Sequence, residues 1–324
     1  MNMDRRNFLT SVGALSAAMA AGDILPAQAY TQPANQNLKW AVSTNIWTHS
    51  KGPFTNVLDD MKETGFIGLR LTGFPHVLDR YGLTEASLQR ELSKRGLHLV
   101  TISFNGPLQD PTKRKEVLDS ARRAMTFLKE FGANHLVVFS PDRKPETSTP
   151  AAFKALCESC NQIGEVAGEM GFTAGLHNHM GQMVQTQAEV DRFMAMTDPK
   201  LFGLSPDTAH LQLAGCDVVG TFKRYIHRMH FMDYKDAKWT TPTKDWVEPN
   251  GKVIPKDSQL ARFLNSIYDL GDGAVDFPGC HRVLKSVNHK GWICVDLDSA
   301  RLGAVADYER CGNYIVNKLQ PIYM

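Results

Sequence analysis

The sequence has no apolar run approaching the ~20 residues that a membrane-spanning helix needs, and no low-complexity bulk. It has little charge of one sign in excess: 36 Lys and Arg against 34 Asp and Glu leave a net charge of +2. That balance supplies no basic field for nucleic acid and no acidic tail. Cysteine is sparse, six in 324 residues, which excludes a disulfide scaffold. Cys157 and Cys160 form a C-x-x-C, but inside a helical pattern rather than at a helix start where a redox thiolate is stabilised. They are expected to be buried core residues. Cys216, Cys280, Cys294 and Cys311 have no metal spacing. No Ser/Gly/Pro linker divides the chain, and no G-x-G-x-x-G follows the first strand-like run. What is present, 43% hydrophobic residues, suits one large α/β domain of about 250–300 residues or two smaller ones.

The first 29 residues read as an address. Asp4-Arg5-Arg6-Asn7-Phe8-Leu9 precede an Ala-rich apolar run from Ser11 to Ala21, and Ala27-Gln28-Ala29 offers an A-x-A cleavage site before Tyr30. The paired arginines followed by Phe-Leu resemble a twin-arginine signal. The expected organisation is a signal peptide over 1–29 and one domain over 30–324. The mature protein is expected in the periplasm, without stable membrane association.

After the signal, short β-rich runs alternate with amphipathic helical stretches, the pattern of a parallel sheet. The strand candidates are Trp40–Ile46, Ile67–Leu71, His98–Phe104, His135–Phe139, Thr173–His177, Phe202–Ser205, Arg228–Met232 and Trp292–Val295. Between them, helices are expected near 57–64, 84–95, 113–131, 150–170, 187–196 and 218–225, and a last one over 281–288. Eight βα units predict a single (β/α)8 TIM barrel; an open doubly wound sheet is the alternative. One irregular stretch, 236–256, follows the seventh strand, and is either a lid over the catalytic face or a passive insertion.

A barrel carries its active site at the C-terminal strand ends, and the polar residues fall there. Strand five ends in His177-Asn178-His179, strand six in Asp207-Thr208-Ala209-His210, strand seven in Asp233-Tyr234-Lys235-Asp236, and strand eight in Asp296-Leu297-Asp298. Imidazole and carboxylate donors without thiolate suit Mn²⁺, Co²⁺ or Zn²⁺ better than Mg²⁺.

At these residues the chain resembles a known family. His177-Asn178-His179-Met180-Gly181, with Thr186 and Glu189-Val190-Asp191-Arg192 following, is similar to the fifth-strand segment of inosose dehydratases. These belong to the xylose-isomerase-like TIM-barrel superfamily of sugar isomerases, epimerases and dehydratases. Asp207-x-x-His210 resembles the superfamily's sixth-strand motif, and Gly271-Asp272-Gly273-Ala274-Val275-Asp276-Phe277 resembles the loop before its last helix. The resemblance implies a divalent metal held by His177, Asp207, Asp233 and Asp296. Two of these positions depart from the usual ligand types: Asp233 stands where a His is usual and Asp296 where a Glu is, while His177 takes the place of the epimerases' Glu, as in dehydratase-like members. His230 lies three residues before Asp233 and faces the other side of the strand.

The implied chemistry is removal of a proton beside the carbonyl of a keto-sugar or keto-cyclitol, a 3-keto glycoside among them. The asymmetric pair His177 and Asp296 favours β-elimination, with His179, His210 or Lys235 as the acid. Isomerisation or epimerisation, and a non-catalytic sugar-binding barrel, are the alternatives. Lys235 either acts in the reaction or neutralises the carboxylates, and His210 is either catalytic or a core histidine. Arg70 binds substrate or makes a structural salt bridge, and Trp239 stacks on a sugar or covers the surface. Asp298 is expected to be a solvated cap. The partner is a small carbohydrate, not nucleic acid.

Overall fold

A computed structural model of the protein describes residues 37–323 apart from His49, Glu146, Thr147 and Pro249. The expected signal peptide lies outside the described residues. Eight parallel strands line the centre: β1 (Leu38–Ser43), β2 (Gly68–Leu71), β3 (His98–Phe104), β4 (His135–Phe139), β5 (Thr173–His177), β6 (Gly203–Leu204), β7 (Phe231–Tyr234) and β8 (Gly291–Val295). From β1 to β6 each strand pairs with its sequence successor, β7 pairs with β8, and β8 pairs back with β1, as a barrel requires. The last gap, between β6 and β7, is closed by one parallel bridge, Asp207 to Asp233. There the Asp233 N–H donates to the Pro206 carbonyl at 2.8 Å. The Thr208 hydroxyl reinforces this seam, donating to the Lys235 carbonyl at 2.8 Å and accepting the Lys235 N–H at 2.9 Å. The fold is a (β/α)8 barrel.

The ring helices are α1 (Phe54–Glu63), α2 (Glu85–Arg95), α3 (Arg114–Glu130), α4 (Pro150–Met170), α5 (Gln187–Met196), α6 (Val218–Tyr225), α7 (Phe277–Ser286) and α8 (Ala304–Tyr314). Helix α4 shows how sequence sets such an element. Thr149 caps it by accepting the Ala152 N–H at 3.2 Å, Pro150 opens it, and Gly171 ends it in the left-handed region. Its buried stripe runs through Phe153, Leu156, Cys157, Cys160, Ile163 and Ala167, so the C-x-x-C is core. Helix α5 begins with a capping box between Thr186 and Glu189, which gives part of the motif after strand five a structural role.

Two expectations are corrected. The seventh strand runs over Phe231–Tyr234, not Arg228–Met232, because the Arg228 guanidinium turns back onto the carbonyls of Met194 and Phe202, both at 2.7 Å. The stretch 236–256 is not structureless. Asp236–Ala237 pairs antiparallel with Ile267–Tyr268, and Trp246–Val247 pairs with Val253–Ile254. The latter hairpin packs on the helix Gln259–Ser266 through Ile254, Ala261 and Leu264.

The Asp236 side chain anchors the loop before α7. Its carboxylate accepts the N–H groups of Gly271, Gly273, Val275 and Ala237 at 2.8–3.0 Å. Gly273 is required there because a Cβ would strike that carboxylate.

Inside the barrel, Ala41, Val100, Val137, Phe231 and Cys294 form an apolar plug. Side chains two residues further along a strand face the same way. Arg70 therefore follows Gly68, His177 follows Gly175, Asp233 follows Phe231, and Asp296 follows Cys294 into the mouth of the barrel.

Candidate active site and metal centre

Above the plug lies a cluster of buried charge. His177, Asp207, His210, Asp233, Lys235, Arg70 and Asp296 are each 0–2% exposed. Arg70 reaches across from β2 and bridges two carboxylates, Asp233 Oδ2 at 3.0 Å and Asp296 Oδ2 at 2.9 Å. The structural reading of Arg70 therefore describes its contacts. Lys235 Nζ meets Asp207 Oδ2 at 3.1 Å, Asp296 Oδ2 at 2.6 Å and Asp298 Oδ2 at 2.7 Å. Asp298 is not a solvated cap; it also accepts from Asn45 Nδ2 at 2.6 Å. The Ser43 hydroxyl donates to Asp296.

Asp207 owes its orientation to a cap. Its Oδ1 accepts the His210 N–H at 3.0 Å, opening the short helix Thr208–Leu213 and fixing His210 one turn on. The D-x-x-H spacing is thus the spacing of an N-cap and its third helical residue. Asn178 clamps the Asp207 backbone from both sides, accepting its N–H at 3.0 Å and donating to its carbonyl at 3.2 Å. The remaining oxygen, Oδ2, accepts no well-directed hydrogen bond among the described residues.

The neighbours of the two central histidines assign their protons. His177 Nδ1 lies 2.9 Å from Asp233 Oδ2; the ionised carboxylate, paired with Arg70, only accepts, so in that state Nδ1 carries the hydrogen and Nε2 offers a lone pair. His210 Nδ1 receives the Met180 N–H at 3.3 Å, so its hydrogen sits on Nε2. The 3.4 Å approach of Lys235 Nζ to that Nε2 then sets two donors side by side, both turned toward Asp207. Burial pushes both imidazoles well below the usual range and keeps them neutral. Burial also raises Asp207 to about 6 and Asp233 to about 7, against the pull of Lys235 and Arg70 respectively. Asp296 goes the other way. Against the cost of its burial, Lys235 and Arg70 together hold it well below the carboxylate range.

His177 Nε2, Asp207 Oδ2 and His210 Nε2 are close enough to be donors to one ion, and each imidazole nitrogen lies 3.8 Å from the carboxylate oxygen. This His/Asp/His group is the candidate divalent metal centre. Its nitrogen and oxygen donors, with one carboxylate oxygen lacking a hydrogen bond, suit such an ion. His210 can join only by shifting its hydrogen to Nδ1 and giving up the Met180 contact. The set differs from the four residues implied by resemblance, because Asp233 and Asp296 are occupied by Arg70.

Aromatic rings cover the cluster. Phe139 stacks on His177 with ring centroids 4.1 Å apart, and His179 lies 3.8 Å from His210. Phe263, from the helix after the hairpin, lies parallel to His210 at 5.5 Å. The insertion thus reaches the site, through a residue that no strand-end pattern could have found. Trp239 does not reach it. That ring is 44% exposed, its N–H donates to the Leu213 carbonyl at 2.9 Å, and the Arg262 guanidinium lies 4.5 Å over one face. His230 is exposed before β7, away from the cluster.

The chain is 28% identical to an inosose dehydratase of Halalkalibacterium halodurans over 309 residues, covering 88% of this chain and 96% of the relative. Among solved structures, it is similar to a probable 3-DHS dehydratase from Bacillus anthracis, with a TM-score of 0.67, 15% identity, and coverage of 86% of this chain and 99% of that one. It is also similar to the IOLI protein carrying a zinc atom, with a TM-score of 0.65, 13% identity, and coverage of 88% and 99%. The family model for the xylose isomerase-like TIM barrel matches residues 58–310, seven of the eight strands and the whole charge cluster, and the chain belongs to that family.

Proposed function

We propose that the protein is an exported lyase that removes the proton beside the ketone of a keto-sugar or keto-cyclitol, with 3-keto glycosides in the range. It then expels the β-oxygen. The observation that carries this reading is the file His177–Asp233–Arg70. His177 Nε2 holds a free lone pair, its Nδ1–H is fixed on Asp233, and Asp233 is backed by a buried guanidinium. That is the arrangement of a general base whose conjugate acid is stabilised as it forms. His177 takes the α-proton, and the carbonyl oxygen becomes an enolate oxygen. The Lys235 ammonium and the His210 Nε2–H are the nearby donors that can stabilise it. The enolate then expels the β-oxygen, which takes the proton back from His177 and leaves as water or an alcohol. One base serves both faces of the balance, and the product is an unsaturated ketone. A divalent ion of the Mn²⁺, Co²⁺ or Zn²⁺ type held by His177, Asp207 and His210 would supply Lewis-acid stabilisation to a substrate oxygen, but it would occupy His177 Nε2, so that route would need another group as base.

The relatives' names support a dehydratase; isomerisation shares the first step and differs in where the proton returns. Incubating the protein with a keto-cyclitol and a 3-keto glycoside in deuterated water separates these outcomes. An ultraviolet-absorbing unsaturated ketone, lost in His177→Gln, is the expected result. Deuterium-labelled isomer without unsaturated product overturns the lyase reading, and no exchange with any substrate overturns the enzyme reading. Export rests on Arg5-Arg6 and the Ala-rich run after them, and is tested by cell fractionation of wild type and an Arg5→Lys/Arg6→Lys variant.

A further inference from the structure

The candidate metal centre already contains a cation. Lys235 Nζ is 3.1 Å from Asp207 Oδ2, the oxygen that would bind an ion, and 3.4 Å from His210 Nε2. Two further carboxylates complete its surroundings, Asp296 at 2.6 Å and Asp298 at 2.7 Å. The side chain is 1% exposed, so bulk solvent does not screen these contacts. Three carboxylates and an imidazole around one positive atom is the environment that a divalent ion takes in other proteins.

An ion and the ammonium cannot share it. Divalent metals sit about 2.0–2.2 Å from carboxylate oxygen and imidazole nitrogen. An ion at that distance from Asp207 Oδ2 and His210 Nε2 would lie within about 3.6 Å of Lys235 Nζ, where two buried cations repel strongly. Arg70 cannot relieve the conflict, because its guanidinium is engaged by Asp233 and Asp296. Four carboxylates face two cations here, and Lys235 is the cation that faces Asp207.

We propose that Lys235 is the resident cation of this site: its ammonium holds the place of a divalent ion, and an ion enters only by displacing it. The metal-free protein is then folded with its carboxylates neutralised. The Lys235 side chain, and not the donor set, then limits how tightly an ion binds.

Calorimetric titration with Zn²⁺ and Co²⁺ tests this on wild type, Lys235→Met and Lys235→Arg. Lys235→Met is expected to bind at least about tenfold more tightly than wild type, and Lys235→Arg no more tightly. Adding Asp207→Asn to Lys235→Met should abolish the gain, which places the ion at Asp207. Equal or weaker binding by Lys235→Met overturns the proposal, as does tight binding that survives Asp207→Asn. Melting curves cover the case in which Lys235→Met folds poorly. A melting temperature that Co²⁺ restores in the variant but does not raise in wild type supports the proposal. A variant that no ion restores overturns it.

Discussion

Replacing Arg70 by Met keeps the length of the side chain and removes its charge. The guanidinium bridges Asp233 and Asp296 at 3.0 and 2.9 Å, with all three side chains at most 2% exposed. The two carboxylates do not suffer equally. Asp296 keeps Lys235 at 2.6 Å and the Ser43 hydroxyl, whereas Asp233 keeps the neutral His177 Nδ1–H and the Cys294 thiol but no cation in contact. The loss is therefore that of one buried pair broken from one side, about 3–5 kcal/mol, not twice that. For a barrel of this size it corresponds to a melting temperature lower by roughly 6–10 °C at about pH 8. The pH dependence has a definite sign. Burial already raises Asp233 to about 7 with Arg70 in place. Without Arg70 its folded-state pKa rises further above the unfolded value, so the native variant gains a proton as pH falls, and its charge penalty disappears. The gap between variant and wild type should narrow between about pH 8 and about pH 5.5. Circular dichroism melts at the two pH values measure it. A loss under about 2 °C at the higher pH, or a gap that widens on acidification, would refute the reasoning.

Two further outcomes are open to direct measurement. Burial depresses His135 to about 3 and His281 to about 4, below an ordinary value of 6.5. The unfolded chain then binds more protons, and stability should fall by several kcal/mol as pH drops through 6.5 toward 4. A melting temperature that stays flat over that window contradicts this. Phe263→Ala removes the ring stacked on His210 and should lower kcat/KM by about tenfold, while the melting temperature shifts by less than about 4 °C. Unchanged kinetics would show that the hairpin and its helix are a passive insertion.

The alternation of strand-like and helical stretches made the barrel legible, and α4, α5 and α6 begin and end where their caps and periodicity place them. Strand β7 is displaced from its expected position because Arg228 and Met229 look like strand residues, while the Arg228 side chain is committed to the carbonyls of Met194 in α5 and Phe202 before β6. Period-two alternation was enough to send His177, Asp233 and Asp296 inward. It could not show that Arg70 pairs with Asp233, 163 positions away, or that Lys235 sits among three carboxylates. Those contacts depend on how the barrel closes, not on any local pattern. Phe263 was invisible for a related reason: it reaches the site because a hairpin folds back over the mouth, and nothing in its helix announces that destination.

The join between β6 and β7 carries one more implication. Elsewhere adjacent strands are stitched by runs of paired residues, but here one backbone bridge unites Asp207 and Asp233, the same residues whose side chains meet His177. Transient breathing of the barrel should start at this thinnest wall, and each such excursion would pull the chemistry apart before the rest of the molecule noticed. Amide hydrogen exchange at Asp233 would then clock the lifetime of the assembled site. Selection for speed and selection for durability would fall on the same few atoms.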